Sequence, residues 1–101
     1  EIKRMLSNLL NNAIEACQFT AKVEIHLHRE NRFIQIDISD NGSGIPQEKI
    51  IEYLEGKSSK HAGSGLGLQY ANKYMKSIGG ELVINSGLGM GTVVSLKFIT
   101  A

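Results

Sequence analysis

Apolar residues between Ile2 and Cys17 recur at helical spacing (Met5, Leu6, Leu9, Ala13, Ile14, Cys17), and Asn8, Asn12 and Glu15 form a polar stripe beside them. The spacing predicts an amphipathic helix with a polar seam next to its core face. Period two then takes over: Val23, Ile25 and Leu27 alternate with Lys22, Glu24, His26 and His28. After a turn at Glu30-Asn31, a second strand sets Ile34, Ile36 and Ile38 on one face. The two predict an antiparallel hairpin. Asp40 to Pro46 reads as a loop, and Pro46 opens a short helix from Gln47 to Tyr53. Residues 55 to 64 turn small, polar and basic, which predicts a mobile loop. A second long helix is expected from Leu66 to Ile78, burying Leu68, Ala71, Met75 and Ile78 and ending at Gly79-Gly80. Two strands close the chain, Glu81 to Ser86 and Thr92 to Ile99, joined by the glycine-rich turn Gly87 to Gly91. This order predicts an α/β (α+β) fold: a two-layer sandwich with a mostly antiparallel mixed sheet and helices packed on one face.

Composition narrows the reading. At 101 residues the chain has room for one domain, residues 1–101. A formal charge of +1 excludes the broad positive field of a nucleic-acid or anionic-membrane binder, so a charged ligand must be met locally. The lone Cys17 has no partner for an internal disulfide; it reads as a small core residue in a reducing compartment. No apolar run reaches the length of a membrane span. A cytoplasmic domain is expected. Glu1 to Met5 read as helix with no capping residue ahead, which predicts a domain trimmed at its N-terminal edge.

Three features carry candidate chemistry, each with a bland alternative. Asp40 shares the phase of Ile34, Ile36 and Ile38, and Thr92 that of Val94, Leu96 and Phe98, so both point toward the helical layer. Together they line a pocket floor, or Asp40 merely caps the turn through Gly42. The stripe Asn8, Asn12, Glu15 is a solvated face, or it exists for a hard-oxygen ligand suited to magnesium, since asparagine is a poor helix former. Gly63 to Leu68 is a flexible linker, or a glycine turn whose exposed amides receive phosphate at a helix start.

In order, NLLNNAIEA (Asn8 to Ala16), DNGSGIP (Asp40 to Pro46), GSGLGL (Gly63 to Leu68) and GLGMGT (Gly87 to Thr92) resemble the four ATP-binding boxes of sensor histidine kinases. The wider group includes DNA gyrase, the heat-shock chaperone ATPases and mismatch-repair ATPases, and the likeness covers nearly the whole chain. It implies a Bergerat-type fold that binds ATP and Mg2+, with Asn12 on the metal and Asp40 accepting from the adenine amino group. It also implies that Gly42 and Gly44 let the loop close on the base, that Ile45 flanks the ring and that Thr92 supports Asp40. Gly65, Leu66, Gly67 and Leu68 would hold the phosphates beneath a lid of residues 55 to 64. Glu15 stands where relatives often carry a basic residue, so phosphate neutralisation falls to Lys57 and Lys60, with His61 nearby. Only Tyr53 and Leu54 stand where two phenylalanines are usual.

The implied activity is transfer of the γ-phosphate of MgATP to a histidine on a separate dimerisation domain, with a response-regulator receiver downstream and a homodimeric parent kinase. His26, His28 and His61 all lack the setting of a phosphoacceptor. Hydrolytic and serine-directed relatives carry a glutamate base one turn before the magnesium asparagine, and Asn8 occupies that place here. The isolated domain is therefore expected to be nearly inactive without its acceptor. The competing readings are an ATPase of the same superfamily and a nucleotide-sensing module without catalysis.

Overall fold

A computed structural model of the chain describes residues 2–15, 17, 20–55, 62–87 and 89–100. Its elements are α1 (Ile2–Glu15), β1 (Val23–Glu30), β2 (Phe33–Asp40), α2 (Gln47–Glu55), α3 (Ala62–Ser77), β3 (Glu81–Ser86) and β4 (Thr92–Ile99). The four strands form one sheet in the order β1-β2-β4-β3, and each of its pairings is antiparallel. The expected two-layer sandwich is present. Its sheet is antiparallel throughout the described residues.

The core lies where α1 and α3 cross the inner face of the sheet. Met5, Leu9 and Ala13 from α1 meet Leu68, Ala71 and Met75 from α3, above Ile38, Leu82, Val94 and Leu96. These are the period-3.6 and period-2 positions of the sequence, so the two periodicities meet in one buried layer. The α3 helix ends as Gly79-Gly80 requires. Gly79 has φ +77°, its N–H donates to the Lys76 carbonyl at 3.2 Å, and Gly80 N–H donates to the Met75 carbonyl at 2.8 Å. This pair of bonds is the Schellman arrangement, which satisfies carbonyls a helix end would otherwise leave open.

Several expectations fail in instructive ways. The α3 backbone is already helical from Ala62, where a glycine turn was expected. Once the downstream turns exist, each added residue gains a hydrogen bond for one residue fixed, even at glycine. Ile78 is exposed, because the cap swings the chain away after Ser77, and Ile14 is exposed beyond the contact with α3. The first hairpin turns at Asn31-Arg32. Cys17 is only half-buried, its thiol shared between the Ala13 carbonyl at 3.3 Å and Asn41 Oδ1 at 3.0 Å. Most telling, Ile25 is 56% and Leu27 71% exposed although they alternate as a buried face should. The helical layer covers β2, β4 and β3 but reaches the edge strand β1 only at Val23, which packs against the core, so Ile25 and Leu27 lie beyond it.

Candidate functional site

The register of the sheet builds the site. Asp40 at the end of β2 is the direct cross-strand partner of Thr92 at the start of β4, and Thr92 is in turn the partner of Ser86 at the end of β3. One row of polar residues therefore crosses three strands at one end of the sheet. Asp40 and Thr92 keep the inward phase of Ile38 and Val94, and Thr92 is only 6% exposed. Above them opens a cleft of about 210 Å³. Leu9, Asn12 and Ala13 of α1 and Leu68 of α3 form one wall; Ile38, Asp40, Thr92 and Val94 form the floor; Ser43, Gly44 and Ile45 form the rim. A largely apolar slot with a few convergent polar groups is the usual form of a small-molecule site.

Asp40 serves both of the roles left open by the sequence. Its Oδ1 accepts the Gly42 N–H at 2.8 Å, which fixes the turn. A carboxylate has acceptor capacity beyond that bond, and the side chain borders the cleft. Gly44 holds the loop with φ +85°, a conformation that costs residues with a Cβ. Gly91 is needed for a second reason as well: at φ +78°, a methyl built on it would overlap the Asp40 carbonyl oxygen. The close approach of β4 to the Asp40 backbone depends on that glycine.

Hydrogen bonds tie the rim to the floor. Ser86 Oγ accepts the Ile45 N–H at 2.7 Å and lies 3.1 Å from the Gly91 carbonyl and 2.8 Å from Thr92 Oγ1. Gln47 Nε2 donates to the Ser86 carbonyl at 3.2 Å, and Gly89 N–H donates to the Ser43 carbonyl at 2.8 Å. On the other side, Asn41 fastens the loop before β1: its Oδ1 accepts the Lys22 N–H at 2.9 Å and its Nδ2 donates to the Thr20 carbonyl at 3.1 Å. Among the described residues no buried side-chain polar atom lacks a partner.

Of the residues singled out from the sequence, Asn12, Asp40, Gly44, Ile45, Leu68 and Thr92 border this one cleft, with Gly42 bonded to Asp40. Asn8 lies one turn before Asn12 on α1 and outside the lining set. Gly65, Leu66 and Gly67 fall in the first turns of α3. Lys57, Lys60 and His61 lie outside the described residues, as do the side chains of Tyr53 and residues 62–67. His26 and His28 are exposed on β1, where His28 Nε2 meets Asp37 Oδ2 at 2.9 Å. Sequence reasoning missed Leu9, Ala13, Ile38, Val94, Ser43 and Ser86. The first four were legible as helix or strand neighbours of Asn12, Asp40 and Thr92. Ser86 shows only once the hairpin register sets it opposite Thr92.

Residues 1–100 match the family model described as histidine kinase-, DNA gyrase B-, and HSP90-like ATPase. The chain belongs to this family. The ATPase-family domain is similar to the histidine protein kinase SaeS of Staphylococcus epidermidis, at 35% identity over 94% of the domain and 30% of the relative. It is also similar to the sensor histidine kinase YvrG of Bacillus subtilis, at 31% identity over 95% of the domain and 18% of the relative. Among solved structures, the catalytic domain of histidine kinase ThkA superposes with a TM-score of 0.86 at 26% identity, over 98% of the domain and 67% of that chain. A mycobacterial sensor histidine kinase, MprB, gives 0.82 at 25% identity, over 95% of the domain and 68% of that chain. The relatives place the domain in the sensor histidine kinase branch. It spans less than a third of the length of those two curated relatives. No helix among its described residues is long and apolar enough to cross a membrane.

Proposed function

We propose that the domain binds MgATP and presents the γ-phosphate to a histidine on a separate dimerisation domain of a two-component sensor kinase. The observation that carries this reading is the pairing of Asp40 with Thr92 at the floor of an apolar cleft that Asn12 flanks. Asp40 accepts from the adenine amino group, Ile45 flanks the ring, and Thr92 supports the contact from below.

The residues present fit a magnesium ion that arrives with its nucleotide. Among the described residues no group of three or more His, Cys, Asp or Glu side chains is placed to hold a metal. Magnesium needs no such cage, because it keeps several waters and takes one or two protein ligands plus phosphate oxygens. The Asn12 carbonyl oxygen supplies one ligand. When bound, the ion neutralises charge on the phosphate oxygens.

Asn8 stands where hydrolytic relatives need a base, and an amide takes no proton from water at neutral pH. A histidine acceptor is itself nucleophilic, so positioning supplies most of the rate. Lys57 and Lys60 remain the candidates for phosphate contact, with Gly65 to Leu68 in the first two turns of α3. The parent kinase would be a homodimer that hands the phosphoryl group to a response regulator.

The test has two arms. Losing a hydrogen bond to a charged group costs roughly 1.5–3 kcal/mol, so Asp40→Ala should weaken ATP binding at least about tenfold by calorimetry. Asn12→Leu should abolish the magnesium dependence of binding. In the second arm, the domain with MgATP should leave itself unlabelled and label a histidine-bearing helical domain added in trans, giving an acid-labile, alkali-stable product. Steady ATP turnover by the domain alone would turn the assignment toward an ATPase.

A further inference from the structure

The geometry points to Ser86 as a positioning residue that sets which way the Thr92 hydroxyl points its proton, and thereby which base edge the cleft accepts. The inference rests on the adenine reading above and adds a residue and a mechanism to it.

Three partners compete for one hydroxyl. The Ile45 N–H, 2.7 Å from Ser86 Oγ, can only donate. The Gly91 carbonyl, at 3.1 Å, can only accept. Thr92 Oγ1, at 2.8 Å, can do either. A serine hydroxyl has a single proton and two lone pairs. If that proton went to Thr92, the Gly91 carbonyl would face a lone pair in a buried place, which is costly. The arrangement that satisfies all three partners gives Ser86's proton to Gly91 and makes Thr92 the donor to Ser86.

Thr92 then has no proton left for the cleft. Its lone pairs are all it offers there, and the neighbouring Asp40, with Oδ1 already accepting from Gly42, also offers acceptors. The paired floor Asp40–Thr92 therefore receives donors. It suits a purine carrying an exocyclic amino group and opposes one carrying a carbonyl at the same place. Removing the Ser86 hydroxyl frees the Thr92 proton, and the floor gains a donor that a carbonyl can use.

ATP and ITP are the probes: they differ at that position, amino against carbonyl, and at the neighbouring N1, which accepts in adenine and donates in hypoxanthine. Calorimetry on the 101-residue domain with magnesium should give a clear preference for ATP. In Ser86→Ala the ATP-to-ITP affinity ratio should fall by at least about fivefold, the size of one neutral hydrogen bond. Ser86→Thr keeps a hydroxyl and should keep the wild-type ratio. Because Ser86 acts through Thr92, adding Ser86→Ala to Thr92→Val should leave the ratio of the Thr92→Val protein unchanged. If Ser86→Ala weakened both nucleotides equally, Ser86 would be a loop anchor for Ile45 and the inference would fall. A Ser86→Thr ratio equal to that of Ser86→Ala would overturn it as well. A wild-type domain that binds ATP and ITP alike would remove the adenine reading itself, an outcome distinct from a changed wild-type preference in the variants alone.

Discussion

β1 and β4 are both eight-residue antiparallel strands with alternating apolar positions, yet the fold treats them in opposite ways. On β4, Thr92, Val94 and Leu96 are all buried, Leu96 completely. On β1 the equivalent inward residues Ile25 and Leu27 are mostly exposed. Their cross-strand partners on β2 are Ile38 and Ile36, and Ile38 is only 2% exposed. Alternation names a face; it does not say how far the covering layer extends. The candidate site lies at the end of the covered strands, where a buried hydroxyl and a carboxylate can be held against an apolar wall.

The largest effect should separate the two strands outright. Leu96→Ala leaves a cavity in the fully buried layer and should cost about 2–5 kcal/mol in urea unfolding, whereas Leu27→Ala should stay within about 0.5 kcal/mol. Equal costs would mean that β1 is covered in solution.

Gly91→Ala comes next. Placing a side chain at φ +78° costs about 1–3 kcal/mol in strain. The added methyl also presses on the Asp40 carbonyl, so ATP affinity should fall even where the domain remains folded. Unchanged affinity in a folded Gly91→Ala protein would detach the site from the β2–β4 register.

The smallest effect concerns what ties β1 down if apolar cover does not. Asp37 on the outer face of β2 reaches His28 on β1, and its side chain is 18% exposed. A hydrogen bond from Ser95, then those from Gln35 and His28, hold its carboxyl below the ordinary value of 3.8, against the opposing pull of burial. A depressed folded-state pKa contributes stability above the unfolded value and loses it as pH falls through the folded one. The stability gap between wild type and Asp37→Asn should therefore shrink as pH falls below about 4, by urea titration. A gap that stays constant down to pH 2 would remove the tie.

Much of this was legible in the residues. Strand phase alone put Asp40 and Thr92 on the inner face, and the helical stripe put Asn12 beside Leu9 and Ala13. Gly79-Gly80 announced the end of α3. What periodicity does not encode is which strands lie side by side, because pairing joins residues far apart in sequence. Ser86 acquires meaning only when β3 and β4 are in register, and Ile25 loses its burial only because β1 lands at an edge. The early start of α3 is not legible because local glycine content argues for a turn, while extending an existing helix costs little.

The row that links Asp40, Thr92 and Ser86 also bears on when the domain becomes able to bind. These residues belong to three strands, and β2 meets β4 across half the chain, so the floor of the cleft comes into being only with long-range pairing. Partly folded chains lack it. A ligand resting on that floor recognises the completed sheet, and its binding energy is added to the native state alone by mass action. Saturating nucleotide should raise the melting temperature of the sheet as a whole and slow exchange of the β4 amides beyond Leu96, at the end of the strand away from the cleft-lining Thr92 and Val94.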